Sequence, residues 1–371
     1  MTRRVLAAAA LTAALALTAT PVYAAVVDGT SFNNPRGSRA EQYTLMHQLR
    51  DLIDGAPKGS KITGSLFNMN VTFIREALQR AHRRGVTVQL VARKPLATTP
   101  ELKALVATLS KNAAGQASRV WYCDYSCGTT GKVGTQHSKD FTFTQTGGTR
   151  YVSVIMSGNV TESGAESQWN TMQVITGSCI HNPLAAYNYE MRLDRPMTRG
   201  KVITCGRYTM WLFPKVIAAH PIRTLLNATR GGKGCEVYVP MFIWRTTAEA
   251  TRLAALHKSG CKVEVIIDRP TTTAAVRNIL RAAGIPTWDG RNGGRFLHTK
   301  GLTIIGTVSG KATALSVGGS ANLTDSAQSV RGKPSKNTDI VIVDRNRATA
   351  EAHRATFNQM KSGLSKLWGT P

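Results

Sequence analysis

Two stretches of the chain are near copies of each other: RRGVTVQLVAR at 83–93 and KSGCKVEVIIDR at 258–269. They extend into one internal repeat with a period near half the chain, which is too long for a solenoid unit and marks a duplicated domain. The first copy begins with SRAEQYTLMHQLRDLIDG, where Ser38 and Glu41 form a capping box and Gly55 a stop. The strand KITGSLF, the helix VTFIREALQRAHRRG and the strand VTVQLVAR follow. The second copy repeats this order with a helix around KVIAAHPIRTLLNATRGG, the strand CEVYVPMF, the helix TTAEATRLAALHKSG and the strand CKVEVIIDR. Near-continuous apolar strands alternating with helices predict α/β units around a buried sheet.

Each copy then enters a polar, Gly- and Trp-bearing loop, WYCDYSCGTTGKVGTQ or WDGRNGGRF, that delivers the chain into a His-x-Lys triplet. The first reads QHSKDFTFT, with His137 and Lys139; the second reads LHTKGLTII, with His298 and Lys300. Residues i and i+2 of a strand share a face, so each triplet turns an imidazole and an ammonium to one spot. With eight histidines and 47 Lys plus Arg, one such triplet is expected by chance. Two at matching places are not, and each is followed by Ser-x-Asn: Ser157 and Asn159 after 20 residues, Ser320 and Asn322 after 22. Further on, WNTMQVI and KNTDIVIV align Asn170 with Asn337.

This set of groups suits displacement at a phosphodiester. Two lysines and two asparagines surround the non-bridging oxygens with charge-assisted hydrogen bonds. One neutral imidazole attacks phosphorus, while the other, protonated, donates to the leaving oxygen and then activates water. No metal or cofactor is required, because lysine supplies the positive charge.

HTK followed by GGSANLT resembles the signature of the phospholipase D superfamily, and the duplicated architecture extends the resemblance over nearly the whole chain beyond the leader. The resemblance implies two similar α/β lobes related by pseudo-twofold symmetry, each a mixed, mostly parallel sheet flanked by helices. It makes His137 the nucleophile and His298 the acid/base, with Lys139, Lys300, Asn159 and Asn322 on the phosphate, supported by Ser157 and Ser320. It also offers Asp339 as the residue orienting the second copy's histidine, against a surface ion pair as the alternative. The aspartate that many members carry five residues after the lysine is absent; Thr144 and Ile305 stand there. The leading substrate implied is a phospholipid, cleaved to phosphatidic acid.

Charge widens that choice. With 47 Lys plus Arg against 21 Asp plus Glu, the net charge is +26, which attracts polyanions such as nucleic acid or an anionic membrane surface. A non-specific nuclease is therefore the competing enzyme, and a weakly active polyanion-binding protein the third reading. MTRRVLAAAALTAALALTATPVYA has the order of a secretory signal peptide, which sets the expected division at 1–24 leader, 25–195 first lobe and 196–371 second lobe. Six cysteines in an exported chain predict disulfides. Cys235 and Cys261 each open a strand, Cys123 and Cys127 flank a tight loop, and Cys179 and Cys205 remain; CDYSC lacks the spacing of a zinc site. Trp121 and Trp288 precede the triplets as cleft walls or core. Lys132, Arg291 and Arg295 lie in the loops as steering charges or a solvated face. A duplication completes the site within one chain, so a monomer is expected.

Overall fold

The computed structural model describes residues 25–368 apart from 130–131, 194, 196, 198–200, 215–219 and 328–334. The leader reading and the start of the helix expected around 215 lie outside the described residues. The capping box forms as the sequence predicts, with Ser38 N–H donating to Glu41 Oε2 at 2.8 Å. The helix it opens breaks at Tyr43 and resumes over Thr44–Asp54.

Seven strands drawn from residues 29–176 form one mixed sheet. Its spatial order is Gly29–Phe32, Thr171–Thr176, Thr149–Met156, Asp140–Thr146, Lys61–Leu66, Thr87–Arg93 and Arg119–Cys123. A ten-stranded sheet is drawn from residues 201–368 and centres on Lys262–Ile267, Glu236–Met241, Leu302–Val308 and Lys311–Gly319. Lys61–Leu66 and Lys262–Ile267 are buried beyond their first residue, as strands covered on both faces must be. Helices Thr44–Asp54, Thr72–Arg83 and Pro100–Leu109 flank the first sheet, and Thr247–Lys258, Ala274–Ala282 and Arg347–Lys361 the second.

The sheets are mixed as expected, but the parallel share is smaller than the sequence suggested. In the first, only Lys61–Leu66 with Thr87–Arg93 and the latter with Arg119–Cys123 run parallel. After each His-x-Lys the chain turns back on itself as a hairpin instead of crossing over through a helix. Asp140–Thr146 pairs antiparallel with Thr149–Met156, and Leu302–Val308 with Lys311–Gly319. Short connections of this kind force antiparallel neighbours.

The helix Ser178–Met191 packs Ile180, Leu184 and Tyr187 in a core shared with Met210 and Ile342 of the second sheet. A disulfide from Cys179 to Cys205 ties that helix to the second sheet. Cys123–Cys127 and Cys235–Cys261 are also bonded; the latter pair sits where two parallel strands begin. A third, small sheet joins the halves directly: Gln168–Trp169 runs parallel to Arg295–Leu297. No helix among the described residues is long and apolar enough to cross a membrane.

Candidate active site

The small connecting sheet delivers the second His-x-Lys, and a matching contact delivers the first. His298 N–H donates to the carbonyl of Trp169 at 3.1 Å, and His137 N–H to the carbonyl of Thr338 at 3.1 Å. Each triplet is therefore anchored on the segment that follows the other copy's Ser-x-Asn. The side chains cross in the same way. His137 Nδ1 lies 2.8 Å from Asp339 Oδ1, and His298 Nδ1 lies 2.9 Å from Asn170 Oδ1.

This exchange corrects two sequence expectations. Asp339 contacts the first copy's histidine, not the second's, and as a fully buried group it is no surface ion pair. Asn170 corresponds to Asp339 instead of Asn337. The serines establish that register: Ser157 Oγ donates to Asn170 Oδ1 at 3.0 Å and accepts from Thr171 N–H at 2.9 Å. Ser320 Oγ donates to Asp339 Oδ1 at 2.6 Å and accepts from Ile340 N–H at 3.0 Å. Both hydroxyls are buried and committed to the residues that hold the imidazoles, a different use from the expected phosphate contact. Gly319 belongs to this arrangement: at φ +121° it takes the left-handed region, and a Cβ there would lie 2.2 Å from the Ile340 carbonyl.

The lysines lie beneath the rings. Lys139 Nζ donates to the carbonyl of His137. Lys300 Nζ donates to the carbonyls of His298 at 2.6 Å and Ser157 at 3.0 Å. Each ammonium also faces a phenylalanine at the end of the neighbouring strand, Lys139 at 4.8 Å from the Phe67 ring centre and Lys300 at 5.3 Å from that of Phe242. Phe67 meets His137 edge-on at 5.1 Å, and Phe242 lies 4.6 Å from His298. Phe296 extends the wall on the second side. Sequence reasoning missed these rings, although SLF and PMF occupy matching places in the repeat. Trp121 lies under the Arg119 and Arg192 guanidinium groups, and Trp288 under Lys361 and Lys366.

Electrostatics separates the histidines. Burial, with Lys139 beside it, lowers His137 to about 4, while the Asp339 carboxylate works the other way. Burial alone would raise Asp339, but His137, Lys139 and the Ser320 hydroxyl outweigh it and hold the carboxyl below its ordinary value. The consistent state is an ionised Asp339 accepting Nδ1–H from a neutral His137, which leaves the Nε2 lone pair free. His298 has an amide partner in place of a carboxylate. Burial, then Lys300, Lys139 and His137, hold it well below its ordinary value, so it too is neutral in the empty site. Burial lowers Lys139 to about 7 and Lys300 well below the ordinary lysine range. Asp339 raises both lysines and His137.

Asn322 Oδ1 accepts from Ile243 N–H at 3.3 Å, and Asn159 Oδ1 is buried with no hydrogen-bond partner. Asp140, which sequence reasoning passed over, points to the opposite face from Lys139. It accepts from Asn188 Nδ2 at 2.6 Å and bonds Ser65, and burial pushes it up to about 7. Thr144 accepts from Lys61 N–H at 2.8 Å, and Ile305 pairs with Glu236 in the second sheet. Among the loop cations, Arg291 pairs with Asp268 at 2.5 Å, Arg295 donates to the Pro35 carbonyl at 2.6 Å and Lys132 is exposed. His82 bonds Ser118, His220 caps the helix Pro221–Ala228, and His353 is buried against Phe32, all structural positions.

Comparison with known proteins finds the same fold elsewhere. Residues 222–361 match the family described as "Cardiolipin synthase, PLD-like domain", a span that holds the second His-x-Lys and Asp339. Phosphatidylserine synthase of Haemophilus influenzae shares the fold at a TM-score of 0.60 and 13% identity, over 91% of this chain and 87% of that one. Polyphosphate kinase of Porphyromonas gingivalis does so at 0.58 and 14%, over 92% of this chain, which spans only 48% of the kinase. Yeast tyrosyl-DNA phosphodiesterase follows at 0.51 and 11%, over 86% of this chain and 90% of that one. No curated protein sequence matches significantly. The chain thus carries a PLD-like domain in its second half, within a fold that nearly its whole length shares with these solved structures.

Proposed function

We propose that the protein is a phosphodiesterase working through a phosphohistidine on His137. The observation that carries this reading is the crossed anchoring, which holds two neutral imidazoles over two buried lysines. His137 Nε2 attacks phosphorus as the bond to the leaving oxygen breaks, and that oxygen takes a proton from His298 Nε2. Water then attacks phosphorus, gives a proton to His298 and displaces His137. Lys139, Lys300, Asn159 and Asn322 hold the non-bridging oxygens. Ser157, Ser320, Asp339 and Asn170 act as positioning residues. A bound phosphate anion restores protons to His298 and the lysines, which the empty site disfavours.

The pH dependence follows from the free protein, which kcat/KM reports. Activity is lost as His137 gains a proton near pH 4, because the protonated ring has no lone pair for phosphorus. It falls again near pH 7 as Lys139 loses its proton and with it the charge that holds phosphate. A kcat/KM profile taken between about pH 3 and 9 checks both limbs, and a profile flat through pH 7 removes Lys139 from phosphate binding.

A phospholipid head-group diester, cleaved to phosphatidic acid, is the substrate the resemblance ranks first. A nucleic-acid strand is the second, favoured by the net charge of +26. An oriented histidine pair argues against a mere polyanion-binding role. The three disulfides fit the oxidising compartment that secretion implies. Lobes at 25–195 and 196–371 and a monomeric state complete the proposal, since both histidines come from one chain. Purified protein in chelator, given phosphatidylcholine with a short alcohol and separately plasmid DNA, distinguishes the substrates. Head-group exchange supports the lipid, nicking supports the strand, and turnover of neither overturns the enzyme reading.

A further inference from the structure

The two ends of the site differ in charge at one repeated position. In the aligned copies Arg93 matches Asp268, each at the end of the strand beside the one that leads to Phe67 or Phe242. On the His298 side the charge is compensated. Asp268 is fully buried, pairs with Arg291 Nε at 2.5 Å and accepts from Thr271 Oγ1 at 2.7 Å. On the His137 side it is not. The Arg93 guanidinium carbon lies 4.2 Å from the Phe67 ring centre, and the same ring touches His137 and Lys139. Its Nε is buried with no hydrogen-bond partner, and no carboxylate faces it among the described residues. The next residue, Lys94, pairs with Asp124 at 2.6 Å. A guanidinium has five donors, and burying one with nothing to bond costs free energy that a ligand would recover.

In-line attack drives the leaving oxygen away from His137, so a group packed beside His137 faces what stays on the phosphorus. In a phospholipid that retained part is an uncharged diacylglycerol, which has no use for a guanidinium. In a nucleic-acid strand it carries the next phosphate, which matches the planar fork of arginine. Arg93 and Lys139 lie against one ring, within a nucleotide's length of each other.

We infer that Arg93 forms a second anion subsite, binding the phosphate adjacent to the scissile one on the retained side of a nucleic-acid strand. This rests on the phosphodiesterase reading for the identity of the first subsite. The test uses binding, so that it does not depend on turnover. In full-length protein carrying His137→Asn, affinities are measured for a thymidine dinucleotide with one internal phosphate and a trinucleotide with two. The second phosphate is expected to tighten binding about 10-fold at low salt, beyond the twofold that a second register supplies. Arg93→Gln should reduce that gain to about twofold, and Arg93→Lys should recover part of it, with thermal melts confirming that each variant is folded. An equal gain with and without Arg93 overturns the subsite, as does binding of neither oligonucleotide. Displacement of the trinucleotide by phosphatidylcholine vesicles, with no effect of Arg93→Gln, overturns it in favour of the lipid. Failure of the enzyme reading would appear separately, as absent turnover in the unsubstituted protein.

Discussion

On bis(p-nitrophenyl) phosphate, His298→Ala is expected to release one equivalent of nitrophenolate per protein and then stall, whereas His137→Ala releases none. Nitrophenolate leaves without a proton, so the first step survives loss of the acid. The second step does not, because no base remains to activate water on the phosphohistidine. The loss in steady-state rate for His298→Ala should be about 10²–10⁴-fold, the usual worth of a positioned acid/base. Removing His137 takes away the bond-forming atom, and the fall is on the order of 10⁴-fold or more. Rapid mixing measures the burst directly. A burst in His137→Ala and none in His298→Ala would reverse the assignment, and its absence from both would argue for direct attack by water. The Asp339 contact is what makes His137 the expected nucleophile, since it fixes the proton on Nδ1 and leaves Nε2 free.

The repeat was legible because its strands are buried on both faces, so that VTVQLVAR and CKVEVIID retain an apolar run that aligns by eye. The His-x-Lys pairs were legible for the related reason that a strand fixes which side chains share a face. What orients the histidines was not. From Ser157 to Asn170 is 13 residues, and from Ser320 to Asp339 is 19, so no fixed spacing links each serine to its partner. Alignment on the NT dipeptides therefore slipped by two residues and placed Asn337 opposite Asn170. Nor does a linear pattern say that a segment serves the other copy's histidine, since that depends on how Gln168–Trp169 meets Arg295–Leu297. Ser157 and Ser320 were found as part of a motif, but their hydrogen bonds point inward, a matter of rotamer and register. Phe67 and Phe242 were visible as matched positions; the larger tryptophans drew the reading instead, though they lie under surface cations.

Replacing Asp339 with Asn is expected to lower kcat/KM by about 10²–10⁴-fold, on the same logic by which a buried carboxylate holds a catalytic histidine in one tautomer. An amide at this position presents N–H as readily as oxygen to Nδ1, so His137 is free to carry its proton on Nε2, the atom that must attack. Asp339 also raises Lys139 and Lys300 against the lowering effect of burial. Without it both ammonium groups give up their protons more easily, and the alkaline limb of kcat/KM should move below its position near pH 7. A defect in packing alone would scale the profile without moving that limb, so the two causes separate in one measurement. The mirror change, Asn170→Asp, gives His298 the carboxylate it lacks. It should raise the pKa of that ring, so that a protonated His298 persists where Asn170 leaves it neutral, a shift that an NMR titration of the ring reads directly. If Asp339→Asn keeps both full activity and an unmoved limb, the crossed contact does not orient the nucleophile, and the two histidines are held by their backbone anchors alone.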